Sequence, residues 1–170
     1  FPYEVDRFPY IPFQPTLSNI IQFYRIHRRQ KIDVIHANFL YRAGYVGVKI
    51  QKMFGVPCVA SGQGADILIY EPLHYGNLLD PKILEKTKHV VRHLSGFIYN
   101  CQKVRTRFLE LGGQEEIAHH VYNGSPYKDI RSDQRSVIRK ELRIKENEIM
   151  FVAVSRNSKI KGLHLLIDAV

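Results

Sequence analysis

The sequence predicts an α/β protein, a parallel sheet with helices packed against it. Three observations carry this. Short apolar runs, such as Asp33-Val34-Ile35-His36-Ala37 and Gly96–Asn100, alternate with segments whose apolar residues recur three and four apart, the pattern of βαβ units. Gly55 with Pro57, and Gly112 with Gly113, stand after helical segments and before the next apolar run, where a helix ends and a strand begins. The stretch Ile149–Val170 repeats the plan once more as apolar run, polar loop and helical stripe.

Taken in order, Val5–Tyr10 reads as an edge strand closed by Pro9 and Pro12. Thr16 or Ser18 is the expected N-cap of a helix reaching Arg28, with Leu17, Ile20, Ile21 and Tyr24 on one face. Residues 33–37 are a short central strand, and Ala43–Phe54 a helix with Gly55 past its end. Val56–Ala60 is a strand leading into the loop Ser61-Gly62-Gln63-Gly64-Ala65-Asp66. Residues 67–81 carry the breakers Pro72, Gly76 and Pro81 and read as irregular. Lys82–Leu94 is a helix, Gly96–Asn100 a strand, Gln102–Leu111 a helix, and Ile117–Tyr122 a strand ending at Asn123-Gly124. Asp133–Leu142 is a further helix. Ile149–Val154 reads as a buried strand, and Gly162 opens a helix with Leu163, Leu166, Ile167 and Val170 on one side.

Composition narrows the class. The chain has 170 residues, enough for one domain or slightly more. Its 45% hydrophobic content is that of a globular protein. No apolar run is long enough to cross a bilayer, and no targeting signal stands at the start Phe1-Pro2-Tyr3. The chain is therefore expected to begin inside a longer polypeptide. A net charge of +9 favours anionic partners. The basic residues are spread over several helices without an RNA-binding aromatic motif, so no nucleic-acid partner is expected. Cys58 and Cys101 are far apart in sequence and form no CxxC pair, which suggests a reducing compartment.

Parallel sheets bind ligands beyond the carboxyl ends of their strands. Asn38, the 62–66 loop, Cys101 and Asn123-Gly124 all fall on that edge. The loop Ser155-Arg156-Asn157-Ser158-Lys159-Ile160-Lys161 carries three cations between a strand and a helix. Free N–H groups, an Arg fork and a Lys together suit a diphosphate. The plainer alternative is a solvated basic loop.

Ser155-Arg156-x4-Lys161-Gly162 after an apolar run resembles the Gly-Arg-x4-Lys-Gly segment of glycosyltransferase family 4. Asp33-Val34-Ile35-His36-Ala37-Asn38 is similar to that family's Asp-Val-Ile-His-Ala-His segment. Gly55-Val56-Pro57 with Gly64-x-Asp66 resembles its Gly-Val-Pro…His-Gly-Ser-Asp pattern, and residues 95–112 its strand and helix ending in Leu-Gly. The resemblance implies the GT-B architecture of two Rossmann-like domains, here incomplete at both ends. Residues 1–125 would be the latter part of the acceptor-side domain, and 126–170 a linker and the start of the nucleotide-sugar-binding domain.

It also implies a retaining transfer of sugar from a nucleoside-diphosphate sugar to the hydroxyl of a glycan or lipid-linked acceptor, without a metal. Arg156 and Lys161 would be catalytic and hold the donor diphosphate with Gly162, Asn123 and Gly124. Gln63, Gly64, Asp66 and His36 would face the sugar and acceptor. The expected location is cytoplasmic, peripheral at the membrane face, and this piece alone is expected to be inactive.

The chain departs from the family at three places. Ser155 replaces a glycine, which is tolerated unless the backbone there needs a positive φ. Gln63 stands for a histidine and can hydrogen-bond but not titrate. Ser125-Pro126-Tyr127 replaces Val-Asp, leaving Asn123-Gly124 open to being a simple turn. Asp66 reads equally as a cap or a ligand contact. His36 is read mainly as structural, Cys101 as an N-cap, and His89 with His93 as a solvated helix face. His119 and His120 point to opposite faces of a strand. Arg25, Arg28, Arg29 and Lys31 end a helix, where the dipole favours them, and an anionic membrane surface is the second reading. Two rival classes remain, a non-catalytic nucleotide-binding module and a nucleic-acid-binding domain.

Overall fold

The computed structural model describes residues 15–124 and 132–170. The expected strand Val5–Tyr10 lies outside them. Contacts divide the chain into two compact units, Phe1–Tyr122 and Asn123–Val170.

In the first unit four short strands lie parallel and in chain order: β1 (Ile35–Asn38), β2 (Cys58–Ser61), β3 (Gly96–Tyr99) and β4 (Ala118–His120). Ile35 pairs with Cys58, Ala60 with Phe97, and Tyr99 with His120. Helices α1 (Pro15–Arg29), α2 (Tyr45–Phe54), α3 (Pro81–His93) and α4 (Gln102–Glu110) complete the unit, with α2 packed between α1 and α3. This is the Rossmann-like α/β arrangement that the alternating pattern predicts.

The core forms because β2 and β3 have neighbours on both sides and bury apolar side chains. Cys58, Ala60 and Phe97 are fully buried. The Phe97 ring stacks on that of Phe108 from α4, with centroids 3.9 Å apart; burying one such ring contributes about 1.5–3 kcal/mol. A smaller cluster of Phe23, Ile50 and Val56 seats α1. Where α2 crosses β2 the approach is close: a Cβ on Gly47 would stand 2.5 Å from the Cys58 sulfur. Gln51 ties three elements together. Its Oε1 accepts from the Cys58 N–H at 2.6 Å and the Ser95 hydroxyl at 2.7 Å, while its Nε2 donates to the His93 carbonyl at 2.7 Å. Gly55 ends α2 in the left-handed conformation (φ 72°) expected of a C-cap glycine.

Boundaries and one face differ from expectation. Among the described residues α1 runs from Pro15, so Thr16 and Ser18 lie inside the helix and not at the expected N-cap position. Its packed side carries Ile20 and Phe23, whereas Leu17, Ile21 and Tyr24 are exposed. Phe23 and His27 extend the Ile20 stripe and make the stacked ring contacts of this face. The 67–81 stretch holds two short 3-10 turns, Glu71–Leu73 and Asn77–Leu79. Asp80 then caps α3, its Oδ1 accepting from the Lys82 N–H at 2.7 Å. β4 is shorter than the expected 117–122 strand, leaving Val121 and Tyr122 exposed.

The second unit contains α5 (Ser132–Glu141) and α6 (Leu163–Asp168). The Arg139 guanidinium is buried and donates to the carbonyls of Lys145 and Glu148. The Glu148 carboxylate accepts from the Lys145 N–H at 2.7 Å, closing the turn after α5. Ile149–Val154 does not form the expected buried strand. It has no ladder partner among the described residues, and Ile149 and Val154 are 82% and 94% exposed. An apolar run becomes a buried strand only when neighbours supply its hydrogen bonds and cover its faces. The α6 stripe is likewise half covered: Leu163 and Leu166 are partly buried, but Ile167 and Val170 are exposed.

Candidate functional site

At the carboxyl edge of the first sheet, β1 ends in Asn38 and β2 in Ser61. His36 Nε2 and the Ser61 hydroxyl lie 2.6 Å apart, so the ring is held across the strand pair. Gln63 Nε2 donates to Asn38 Oδ1 at 3.3 Å. Asp66 is 3% exposed. Its Oδ1 accepts from the N–H groups of Gln63 at 3.1 Å and Gly64 at 2.9 Å, and its Oδ2 from the Leu40 N–H at 3.1 Å. One carboxylate therefore clasps the loop after β1 to the loop after β2. These are loop-capping bonds, and they take three of the roughly four lone-pair directions a carboxylate has.

The clasped β1 loop is strained. Phe39 has φ 81° and Arg42 φ 61°, conformations that cost non-glycine residues about 1–3 kcal/mol and gather at functional sites. The Phe39 N–H donates to the Ser61 carbonyl at 3.1 Å, and its ring is exposed. Sequence reasoning did not single out Ser61 or Phe39. Ser61 had a signal, the last strand position before Gly62-Gln63-Gly64, whereas the Phe39 backbone has none in the sequence. Beside β1 runs an open groove of about 860 Å³, lined in part by Asn19, His36, Asn38, Tyr41 and Arg42.

Elsewhere on this edge Cys101 occupies the N-cap position of α4 without a side-chain capping bond. Asn123 and Gly124 follow β4 and are exposed, and among the described residues a Cβ on Gly124 would meet nothing within 4 Å. His93 Nδ1 bonds the His89 carbonyl at 2.7 Å, one turn back on the exposed side of α3. Burial pushes the Cys58 thiol up to about 11, which removes it from thiolate chemistry at neutral pH.

In the second unit the basic loop folds as a tight turn. Lys159–Lys161 form one 3-10 turn, and Gly162 follows at φ 67° with its N–H on the Lys159 carbonyl at 3.1 Å. A glycine suits this position because a side chain there is strained. Ser155 is not among the positive-φ residues, so serine fits where the family has glycine. Arg156 and Lys161 are exposed, and among the described residues neither is in an ion pair. Thus His36, Gln63, Gly64 and Asp66 converge in one unit, and in the other Lys161 and Gly162 share a turn that Arg156 precedes.

A Rossmann-like sheet with a polar carboxyl edge is the arrangement in which α/β proteins hold ligands. The model of Glycosyltransferase Family 4 matches residues 2–126, and the chain belongs to that family. Among curated proteins no sequence matches it. Solved structures that resemble it include Anabaena Alr3699/HepE in complex with UDP, with a TM-score of 0.70 and 29% identity over 92% of this chain and 42% of that one. The same protein with UDP-glucose aligns at 28% identity over 92% and 41% of the two chains, also at a TM-score of 0.70. With UDP and glucose the values are 0.70, 28%, 91% and 38%. The chain thus spans about two fifths of the length of these structures.

Proposed function

We propose that the whole protein transfers a sugar from a nucleoside-diphosphate sugar to the hydroxyl of a glycan or lipid-linked acceptor, with retention at the anomeric carbon. The family match over residues 2–126 carries this reading. The similarity to HepE with UDP and UDP-glucose supports the donor class. Residues 1–125 belong to the acceptor-side domain, and 126–170 lead into the donor-side domain. The bond from the anomeric carbon to the β-phosphate oxygen breaks as the acceptor oxygen bonds that carbon. The hydroxyl proton leaves with the diphosphate product.

Charge then grows on the departing phosphate, where Arg156 and Lys161 stabilise it without a metal. Gly162 sets the turn that presents Lys161, and Asn123-Gly124 lie toward the donor. On the sugar side Gln63 donates a hydrogen bond, His36 is fixed by Ser61, and Asp66 with Gly64 hold the loop in place. The enzyme works in the cytoplasm, at the membrane face, and this 170-residue piece alone does not turn over.

A second reading, a nucleotide-binding module without transfer, is favoured only by Gln63 standing where the family has histidine. The test is a panel of nucleotide sugars given to the full-length protein, with product anomers read by NMR. Transfer with the donor's anomeric configuration is expected. Tight nucleotide binding with no transfer to any acceptor would overturn the catalytic reading in favour of the module.

A further inference from the structure

Two polar rungs bridge β1 and β2 at the carboxyl edge of the first sheet. His36 and Asn38 stand two residues apart on β1 and so share one face of the sheet, and the register sets Asn38 opposite Ser61. His36 meets the Ser61 hydroxyl, and Asn38 Oδ1 accepts from Gln63 Nε2 at 3.3 Å. Both ends of this second rung are anchored. Just past Asn38, the Phe39 N–H donates to the Ser61 carbonyl at 3.1 Å and the Leu40 N–H to Asp66 Oδ2 at 3.1 Å. On the other side the Gln63 N–H donates to Asp66 Oδ1 at 3.1 Å. Asp66 thus fixes Gln63 by its backbone only. Among the described residues the hydrogen bond of the Gln63 side chain is the one to Asn38.

We infer that Asn38 is a positioning residue for Gln63, fixing the carboxamide that meets a hydroxyl of the transferred sugar. The inference rests on the transfer reading above, which puts Gln63 on the sugar side, and adds to it the residue through which Gln63 is aimed. A carboxamide has two N–H groups and an oxygen. Asn38 takes one N–H, which sets the plane of the amide and leaves the second N–H and Oε1 as a neutral edge. A sugar hydroxyl both donates and accepts, so it can use both groups of that edge. Neither carboxamide titrates, and the arrangement holds across the neutral pH range. Without Asn38 the long Gln63 side chain samples its rotamers, and the ordering that the rung supplies in advance must be done during the reaction.

The experiment is a double-mutant cycle in the full-length protein, with Asn38→Ala, Gln63→Ala and the pair, using UDP-glucose as the donor probe. Each single variant should lower kcat/KM roughly tenfold, the effect of one hydrogen bond. The double variant should fall no further than Gln63→Ala, because Asn38 acts through Gln63. The calorimetric Kd for UDP alone stays at the wild-type level throughout, since the rung meets sugar and not nucleotide. Asn38→Asp keeps the accepting oxygen and should remain within about threefold of wild type, whereas Asn38→Leu, of similar size, should behave like Asn38→Ala. Losses that add in the double variant overturn the inference, as does Asn38→Leu at the wild-type level or Asn38→Asp as impaired as Asn38→Leu. Should wild type bind UDP-glucose without transferring it, the same cycle is read in the ratio of the UDP-glucose and UDP dissociation constants. Absence of transfer then refutes the catalytic reading, and an additive cycle refutes the positioning role.

Discussion

Replacing Asp66 by Asn tests the clasp at the sheet edge. Its carboxylate is 3% exposed and accepts three backbone N–H bonds, from Gln63 and Gly64 on one oxygen and Leu40 on the other. A carboxamide has one oxygen and a donating NH₂, so one side of the clasp is lost whichever way the amide turns. If the oxygen keeps Gln63 and Gly64, the NH₂ faces the Leu40 N–H, and Leu40 is fully buried. Hydrogen bonds to a charged group contribute about 1.5–3 kcal/mol, and an unsatisfied buried donor costs about 1–3 kcal/mol. The expected destabilisation of the first unit is therefore about 3 kcal/mol. The assay is denaturant unfolding of the full-length variant, with amide hydrogen exchange read at Leu40, Gln63 and Gly64. Faster exchange should concentrate at the amide that loses its acceptor. A loss below about 0.5 kcal/mol, the range of an ordinary surface change, would refute the clasp.

Three further outcomes follow from the geometry. Gly47→Ala places a methyl 2.5 Å from the Cys58 sulfur and should destabilise by about 1–3 kcal/mol in thermal melts; an unchanged melting temperature would show that α2 moves away freely. A thiol reagent at neutral pH should label exposed Cys101 quickly and Cys58, buried with a thiol near 11, only on unfolding, which mass spectrometry of the labelled peptides checks. The His89 imidazole is held below its ordinary value of 6.5 by desolvation first, then by His93, Lys52 and Lys49. The unfolded chain therefore binds this proton more readily, so stability declines as pH falls below about 6.5. His89→Gln should remove part of that decline, measured by melts on either side of this pH, and an unaltered slope would contradict it.

The sheet was legible because its central strands β2 and β3 are largely buried and read as apolar runs, while Gly55 and Pro81 punctuate the helices beside them. The α1 face was only partly read, because Leu17, Ile21 and Tyr24 recur three and four apart just as Ile20, Phe23 and His27 do, and of the expected face only Ile20 joins the packed cluster. Periodicity marks an apolar stripe but not which of two stripes finds a partner. The run Ile149–Val154 shows the other limit: its composition suits a buried strand, but pairing depends on neighbours that local sequence does not encode. At the site, the cations and the Gly64-x-Asp66 spacing were visible, yet Asp66 read equally as cap or contact until its three N–H partners were placed. The His36–Ser61 bond depends on long-range register, with Ser61 opposite Asn38, and the strained Phe39 backbone leaves no mark in sequence.

The most direct test of the central claim is kcat/KM for Lys161→Ala in the full-length enzyme against wild type, with a nucleotide-sugar donor that wild type turns over. Loss of one preorganised charge-stabilising donor removes about 3–4 kcal/mol from the transition state, so kcat/KM should fall at least roughly a hundredfold. Activity within about threefold of wild type, less than 1 kcal/mol of transition-state stabilisation, would contradict the assignment of the basic turn to the donor diphosphate.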